Sequence, residues 1–133
     1  MAKTVSHQHI VKRLLDCWNS GQMEIIEEVF SPNFVRHGDY LGGVGEIQGS
    51  AAYKQVVKQF RDLLPDLHSQ IYDVIEQDDK LAFRFRTTGR HQGEKIEFEG
   101  ANILRFEEDR IVEDWVYYDA TGLAARLGQK KAA

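Results

Sequence analysis

The side chains able to do chemistry fall on the strand-like segments of the second half and around one short early strand. Asp114 stands between Glu113 and Trp115, in a segment that alternates with period two. A strand carboxyl that faces inward is raised in pKa by burial and lowered by a nearby arginine. Beside a bound ketone or ester it can give or take a proton. Arg84 is the partner expected to orient Asp114; the plainer reading is an ion pair that locks the sheet. On the neighbouring strand Glu97, Glu99 and Arg105 mark the outer face, so Asn102 points inward, where its amide would hydrogen-bond a ligand. His37 follows Arg36 at the end of a short strand, a place for proton transfer at a pocket mouth or for ordering the next loop. Arg36, His37 and Tyr40 are expected at that mouth. His91 reads as a hairpin-tip residue, and His7 and His9 as residues of a frayed helix start.

Other chemistries lack their residues. There is no HExxH and no second cysteine, so neither a metal nor any other cofactor is expected. Cys17 sits beside Trp18 in an apolar helical stripe, where a thiol is an inert core group. No GxSxG elbow occurs, and the glycines at 42, 43 and 45 do not follow a strand-to-helix fingerprint, which leaves no nucleotide site. The aromatic residues supply core, and Trp18 and Tyr118 are read as walls of a pocket for a flat or apolar ligand. Twenty-one acids against 17 bases give a net charge of −4, which weighs against nucleic acid as a partner. No apolar run is long enough for a membrane span, and no signal-like apolar block precedes His7, so the expected location is the cytoplasm.

The elements that position these residues follow from periodicity. The 133 residues correspond to one domain (1–133), with 129–133 as a frayed tail. Helices are expected over 6–19, where Ile10, Val11, Leu14, Leu15 and Trp18 form one stripe, over 23–30, and from Ser50, as N-cap, to Pro65. Pro32 is expected to separate the second helix from a strand at 34–37. The glycine-rich stretch 38–49 reads as a lid or mouth. Four strands, 67–77, 80–91, 95–106 and 110–119, are joined by tight turns and pair antiparallel, and a short helix at 120–127 ends the chain. The fold class is α+β: a cone-shaped, curved antiparallel sheet whose concave face is covered by the N-terminal helices, enclosing a pocket. Apolar residues on both faces of the last strands point to a second packed face, such as a dimer interface.

Four segments together carry a family resemblance: Trp18-Asn19-Ser20-Gly21, Phe34-Val35-Arg36-His37, Gly89-Arg90-His91 with Gly93, and the ending from Arg110-Ile111-Val112-Glu113-Asp114-Trp115 through Asp119, Leu123 and Arg126-Leu127-Gly128. Over residues 11–128 the chain resembles the SnoaL-like polyketide cyclases. These belong to the cone-shaped α+β superfamily of nuclear transport factor two, scytalone dehydratase, ketosteroid isomerase and limonene epoxide hydrolase. The resemblance implies a homodimer packed through the outer sheet faces. It also places positions 112, 114, 116 and 118, and Asn102, on the cavity side. Family cyclases close a ring by an intramolecular aldol reaction without a metal, using an aspartate, a histidine and an asparagine. The corresponding positions here are Val116, Asn102 and Arg36. A valine cannot transfer a proton, so the aldol step does not carry over. Limonene epoxide hydrolase-like enzymes use an Asp–Arg–Asp set on these strands, for which Arg84 and Asp114 offer a pair without an evident second carboxylate.

Three readings follow. One is a cofactor-independent acid/base enzyme, a lyase, isomerase or hydrolase, acting on a hydrophobic or polyketide-like molecule through Asp114 and Arg84. Its ligand contacts would be Asn102, Arg36, His37, Tyr40, Trp18, Val116 and Tyr118. The second is a pocket that binds a small ligand without turnover. The third is a dimerisation module whose interior is filled by its own side chains.

Overall fold

The computed structural model describes residues 6–38 and 45–128. Apolar stripes at helical spacing fold as α1 (Gln8–Ser20), α2 (Ile25–Val29) and α3 (Ser50–Leu63). Ile10, Val11, Leu14 and Cys17 are buried on α1, and Tyr53, Val56, Val57 and Phe60 on α3. Ser50 is the first residue of α3 rather than its cap; Gly49, with φ of +85°, holds that place. The strands are β1 (Phe30–His37), β2 (Ile47–Gln48), β3 (His68–Gln77), β4 (Lys80–His91), β5 (Glu94–Glu107) and β6 (Arg110–Tyr118), followed by α4 (Ala120–Arg126).

The strands form one sheet in the order β2-β1-β6-β5-β4-β3. The consecutive strands β3 to β6 pair antiparallel, as tight turns require. Asp78, Gln92 and Glu108 open these turns with φ of 56°, 52° and 56°, the left-handed conformation that matches hairpin twist. The sheet is nevertheless mixed, because β1 lies parallel to β6. β1 also begins four residues earlier than the sequence suggests, and Pro32 lies inside it. The proline is tolerated because the β1–β6 ladder is irregular between Phe30 and Val35, so no regular bond is lost there.

The cross-strand register assigns the faces. Arg36, Asp114, Leu104 and Leu81 form one inward row; Val116, Asn102 and Phe83 form the next; Tyr118, Gly100, Phe85 and Ile71 form a third. The helices pack on this face in two apolar clusters. One joins α1, α2 and Tyr53 to Leu81, Phe83, Leu104 and Ile111; the other joins Phe60, Leu64 and α4 to Ile96. Trp18 packs against both. On the outer face Ile75, Ala82, Ile103 and Trp115 make a row across four strands, and Ile75 and Tyr117 are 68% and 58% exposed.

His7 is not idle. It is buried, its Nδ1 lies 2.6 Å from Glu76 Oε2, its Nε2 lies 2.9 Å from the Glu108 carbonyl oxygen, and its ring stacks on Phe106. These contacts tie the start of α1 to the β3–β4 and β5–β6 hairpins, so the helix start does not fray.

Candidate active site

Between the helices and the inner sheet face lies a cavity of about 80 Å³, room for several waters. Most of its wall is apolar, with Leu14, Phe60, Phe83, Phe85 and Phe98 among the contributors. The polar groups on it are few: Arg36, Asn102, Asp114, Ser69 and Thr87, together with the Tyr53 and Tyr118 phenols and the Trp18 indole.

Asp114 is 1% exposed. Asn102 Nδ2 donates to Asp114 Oδ1 at 2.8 Å; the two are diagonal neighbours, since Asn102 stands opposite Val116 and Asp114 opposite Leu104. Burial pushes the Asp114 carboxyl up from its ordinary value, against the opposing pull of the Arg36 charge, the Asn102 amide and His37. A carboxylic acid so placed holds its proton to higher pH than a solvated one and can both donate and accept it. Arg36 stands abreast of Asp114 in the parallel ladder. It is 4% exposed, and its buried Nη1 finds no hydrogen-bond partner among the described residues. Tyr53 reaches the same space from α3; its hydroxyl accepts from Trp18 Nε1 at 2.9 Å, and burial together with the Asp114 charge pushes the phenol far up.

The Trp18-Asn19-Ser20-Gly21 run now has a local explanation. Trp18 lines the cavity and holds Tyr53. Asn19 exchanges two hydrogen bonds with the Ser69 backbone, at 2.7 and 3.1 Å, pinning the end of α1 to β3. Gly21 caps the helix in the left-handed conformation, φ +79°.

Of the residues expected at the site, Asp114, Asn102, Arg36, Trp18, Val116 and Tyr118 come together around the cavity. Arg36 is inside it rather than at a mouth. Arg84 is not brought there: alternation along β4 turns Phe83 and Phe85 inward and Arg84 outward, where its Nε donates to Asp73 at 2.7 Å and its guanidinium covers the Tyr72 ring. The expected Arg84–Asp114 pair is therefore replaced by Asn102 and Arg36. His37, next to Arg36, faces the other way. It stacks on Trp115, and its Nε2 lies 2.7 Å from Glu113 Oε2. Tyr40 lies outside the described residues. The sequence reading missed Ser69 and Thr87, whose hydroxyls meet at 2.7 Å on the cavity wall. Thr87 was within reach of the period-two pattern, since it shares a face with Phe83 and Phe85.

Among the described residues no group of His, Cys, Asp and Glu is arranged to hold a metal ion, and no helix is long and apolar enough to cross a membrane.

No curated protein matches the sequence. Solved structures do. A candidate polyketide cyclase from Bacillus cereus ATCC 10987 is 31% identical, with a TM-score of 0.82 over 92% of this chain and 80% of its own. Wild-type IdmH of Streptomyces antibioticus, itself a candidate polyketide cyclase, is 23% identical with a TM-score of 0.75, covering 93% of this chain and 99% of its own. AclR of Streptomyces galilaeus, a candidate hydroxylase, is 22% identical with a TM-score of 0.77, covering 92% and 95%. The last two bear on the fold alone. The family model of the SnoaL-like polyketide cyclases matches residues 8–127, from the first turn of α1 to the end of α4, and takes in every strand that builds the cavity. Sequence match and fold agree: the chain belongs to the SnoaL-like polyketide cyclase family.

Proposed function

We propose that the chain is a cofactor-independent acid/base enzyme acting on a small hydrophobic or polyketide-like molecule held in the cavity, with Asp114 as the proton-transfer group. The observation that carries this reading is a buried carboxyl, raised by its burial, on the wall of an otherwise apolar cavity. Asn102 holds one oxygen of Asp114 and leaves the carboxyl to face bound substrate. Arg36 supplies a positive charge beside it, which stabilises negative charge developing on a substrate oxygen. The aromatic walls favour a flat molecule and exclude water from the proton transfer. Arg84, on the opposite sheet face, has no part in this step.

The test is catalysed exchange of α-hydrogens in deuterium oxide, followed by proton NMR with acetophenone, 1-indanone and 2-tetralone as probes. Exchange above background that disappears in Asp114→Asn is the expected result. No exchange with any probe, or full exchange by a folded Asp114→Asn variant, refutes proton transfer at carbon by this residue.

The homodimer implied by the resemblance is proposed on the outer sheet face, supported by the Ile75, Ile103 and Trp115 row and by the exposure of Tyr117. Light scattering at tens of micromolar should return twice the 15.3 kDa chain mass; a monomer refutes it.

A further inference from the structure

We propose that the cavity takes a ligand bearing a carboxylate, and that this carboxylate seats on Arg36. The inference deepens the acid/base reading above and rests on the same cavity. Burying a guanidinium is costly unless it is paired and its donors are satisfied, and a guanidinium keeps its charge in proteins. Arg36 is 4% exposed with a buried Nη1 that has no hydrogen-bond partner among the described residues. Its neighbour Asp114 has its own partner in Asn102. Where protein supplies no acceptor for a buried donor on a cavity wall, the ligand is the natural source.

The chemistry of the wall narrows the ligand. A carboxylate is planar and matches the guanidinium fork. A phosphate dianion calls for several convergent charges, and on this wall Arg36 is the one cation among the described residues, set in a mostly apolar surface. An organic acid with a flat apolar body fits that composition.

The charge balance then gives the order of events. The groups facing Asp114 are Arg36 from β1, Tyr53 from α3 and Asn102 from β5, while His37 acts on it only through its charge, from the other face of the sheet. With Asp114 protonated the Arg36 charge is uncompensated, and an anion restores neutrality. With Asp114 ionised, an incoming carboxylate meets a like charge and Asp114 takes up a proton. The bound complex therefore carries Asp114 in its protonated form.

Isothermal titration of the full chain with benzoate and with benzamide tests this. The two have the same ring and nearly the same shape, and differ in charge. Benzoate is expected to bind at least tenfold more tightly at pH 6.5. That preference should be lost in Arg36→Gln and be kept only in part in Arg36→Lys, which retains the charge without the fork. Repeating the titration in phosphate and in Bis-Tris reads proton uptake, expected as a fraction of one proton per benzoate in the parent and none in Asp114→Asn. That variant should bind benzoate at least as tightly as the parent while losing any hydrogen exchange, so the two proposals fail separately. Equal or weaker binding of benzoate than benzamide, or no binding of either at 10 mM, overturns the inference without any variant. An unchanged benzoate preference in a folded Arg36→Gln protein overturns it too.

Discussion

Replacing Asp114 by asparagine is expected to change the slope of stability against pH. Burial raises the Asp114 carboxyl above its unfolded value, which is about 3.9. Between those two values the native state keeps a proton that the unfolded chain has lost. The native state then binds more protons than the unfolded chain, and unfolding free energy falls as pH rises. The wild-type protein thus loses stability from about pH 4 upward until the folded pKa is passed. One titrating group limits the slope to about 1.4 kcal/mol per pH unit. Asparagine has no proton to lose, and its carbonyl can still accept from Asn102 Nδ2, which donates to Asp114 at 2.8 Å. The variant minus wild-type difference should therefore climb with pH inside the window and level above it. Arg36 loses a negative neighbour in the variant at high pH, but that attraction is already contained in the folded pKa and adds no further slope.

The assay is urea unfolding of both proteins at half-unit intervals from pH 3.5 to 8.5, followed through Trp18 and Trp115 fluorescence. Groups common to both proteins cancel in the difference. The pH at which the difference levels reads the folded pKa of Asp114 directly. A difference that stays flat across the range, or one that falls as pH rises, refutes the claim that Asp114 is a desolvated acid. It would remove the physical basis for giving it the proton-transfer role.

Four further outcomes are expected. His7→Ala removes two hydrogen bonds and a ring stack from a buried site and should cost about 2–4 kcal/mol in chemical denaturation; a loss below about 0.5 kcal/mol contradicts the anchoring role. Gly100→Ala would set a Cβ 2.5 Å from both Phe85 Cζ and the Tyr117 carbonyl oxygen, so overpacking should cost about 1–3 kcal/mol, seen as a lowered Tm; an unchanged Tm argues against that packing. Burial pushes the Cys17 thiol up to about 11, so a disulfide reagent at pH 8 should label the native protein only at the rate of its opening, and immediate labelling is the contrary result. The His37 hydrogen bond, then Arg105, holds Glu113 below the usual carboxylate range. Its contribution is therefore present above its unfolded pKa of about 4.3 and lost as pH falls through the folded value, so Glu113→Gln should cost up to about 1 kcal/mol at pH 7 and less at pH 3.

The fold was legible because its parts are strongly periodic and short-connected. The apolar stripe of α1 and the alternation in β4, β5 and β6 each sufficed to place an element, and two-residue turns dictated the antiparallel neighbours. The parallel pairing of β1 with β6 was not legible, because nothing local encodes a contact between segments about 80 residues apart. His7 escaped notice for the same reason: its partners Glu76 and Glu108 lie 69 and 101 residues away. Arg84 was a different failure. Glu97 and Glu99 had already marked the outer face of β5, and antiparallel pairing sets Arg86 opposite Glu99. Arg84 shares the outward parity of Arg86, so the charged face alone excluded it from the cavity. Arg36 was assigned to a mouth because loops follow it, but strand parity carries it inward with Phe34 and sends His37 outward.

Register also changes how the departures from the family pattern read. Taken one at a time, Val116, Asn102 and Arg36 look like three independent losses of the aspartate, histidine and asparagine that the resemblance places there. In the sheet they are neighbours of a single point. Arg36 is abreast of Asp114, Asn102 donates to it, and Val116 is one pleat along the same face of the same strand. Positions 114 and 116 are about 7 Å apart along the strand and share the cavity side. Moving the carboxyl by that pleat takes it from opposite position 102 to abreast of position 36. A histidine at 102 loses its direct partner, and an amide that reaches the diagonal site takes its place. A neutral residue at 36 would leave the relocated carboxyl without a cation beside it, whereas arginine supplies one. Valine at 116 leaves the vacated position apolar, which keeps Asp114 desolvated. The three replacements are thus the set that one relocation of the acid would call for, and the proposed proton-transfer site accounts for them together where a pocket without chemistry accounts for them one by one.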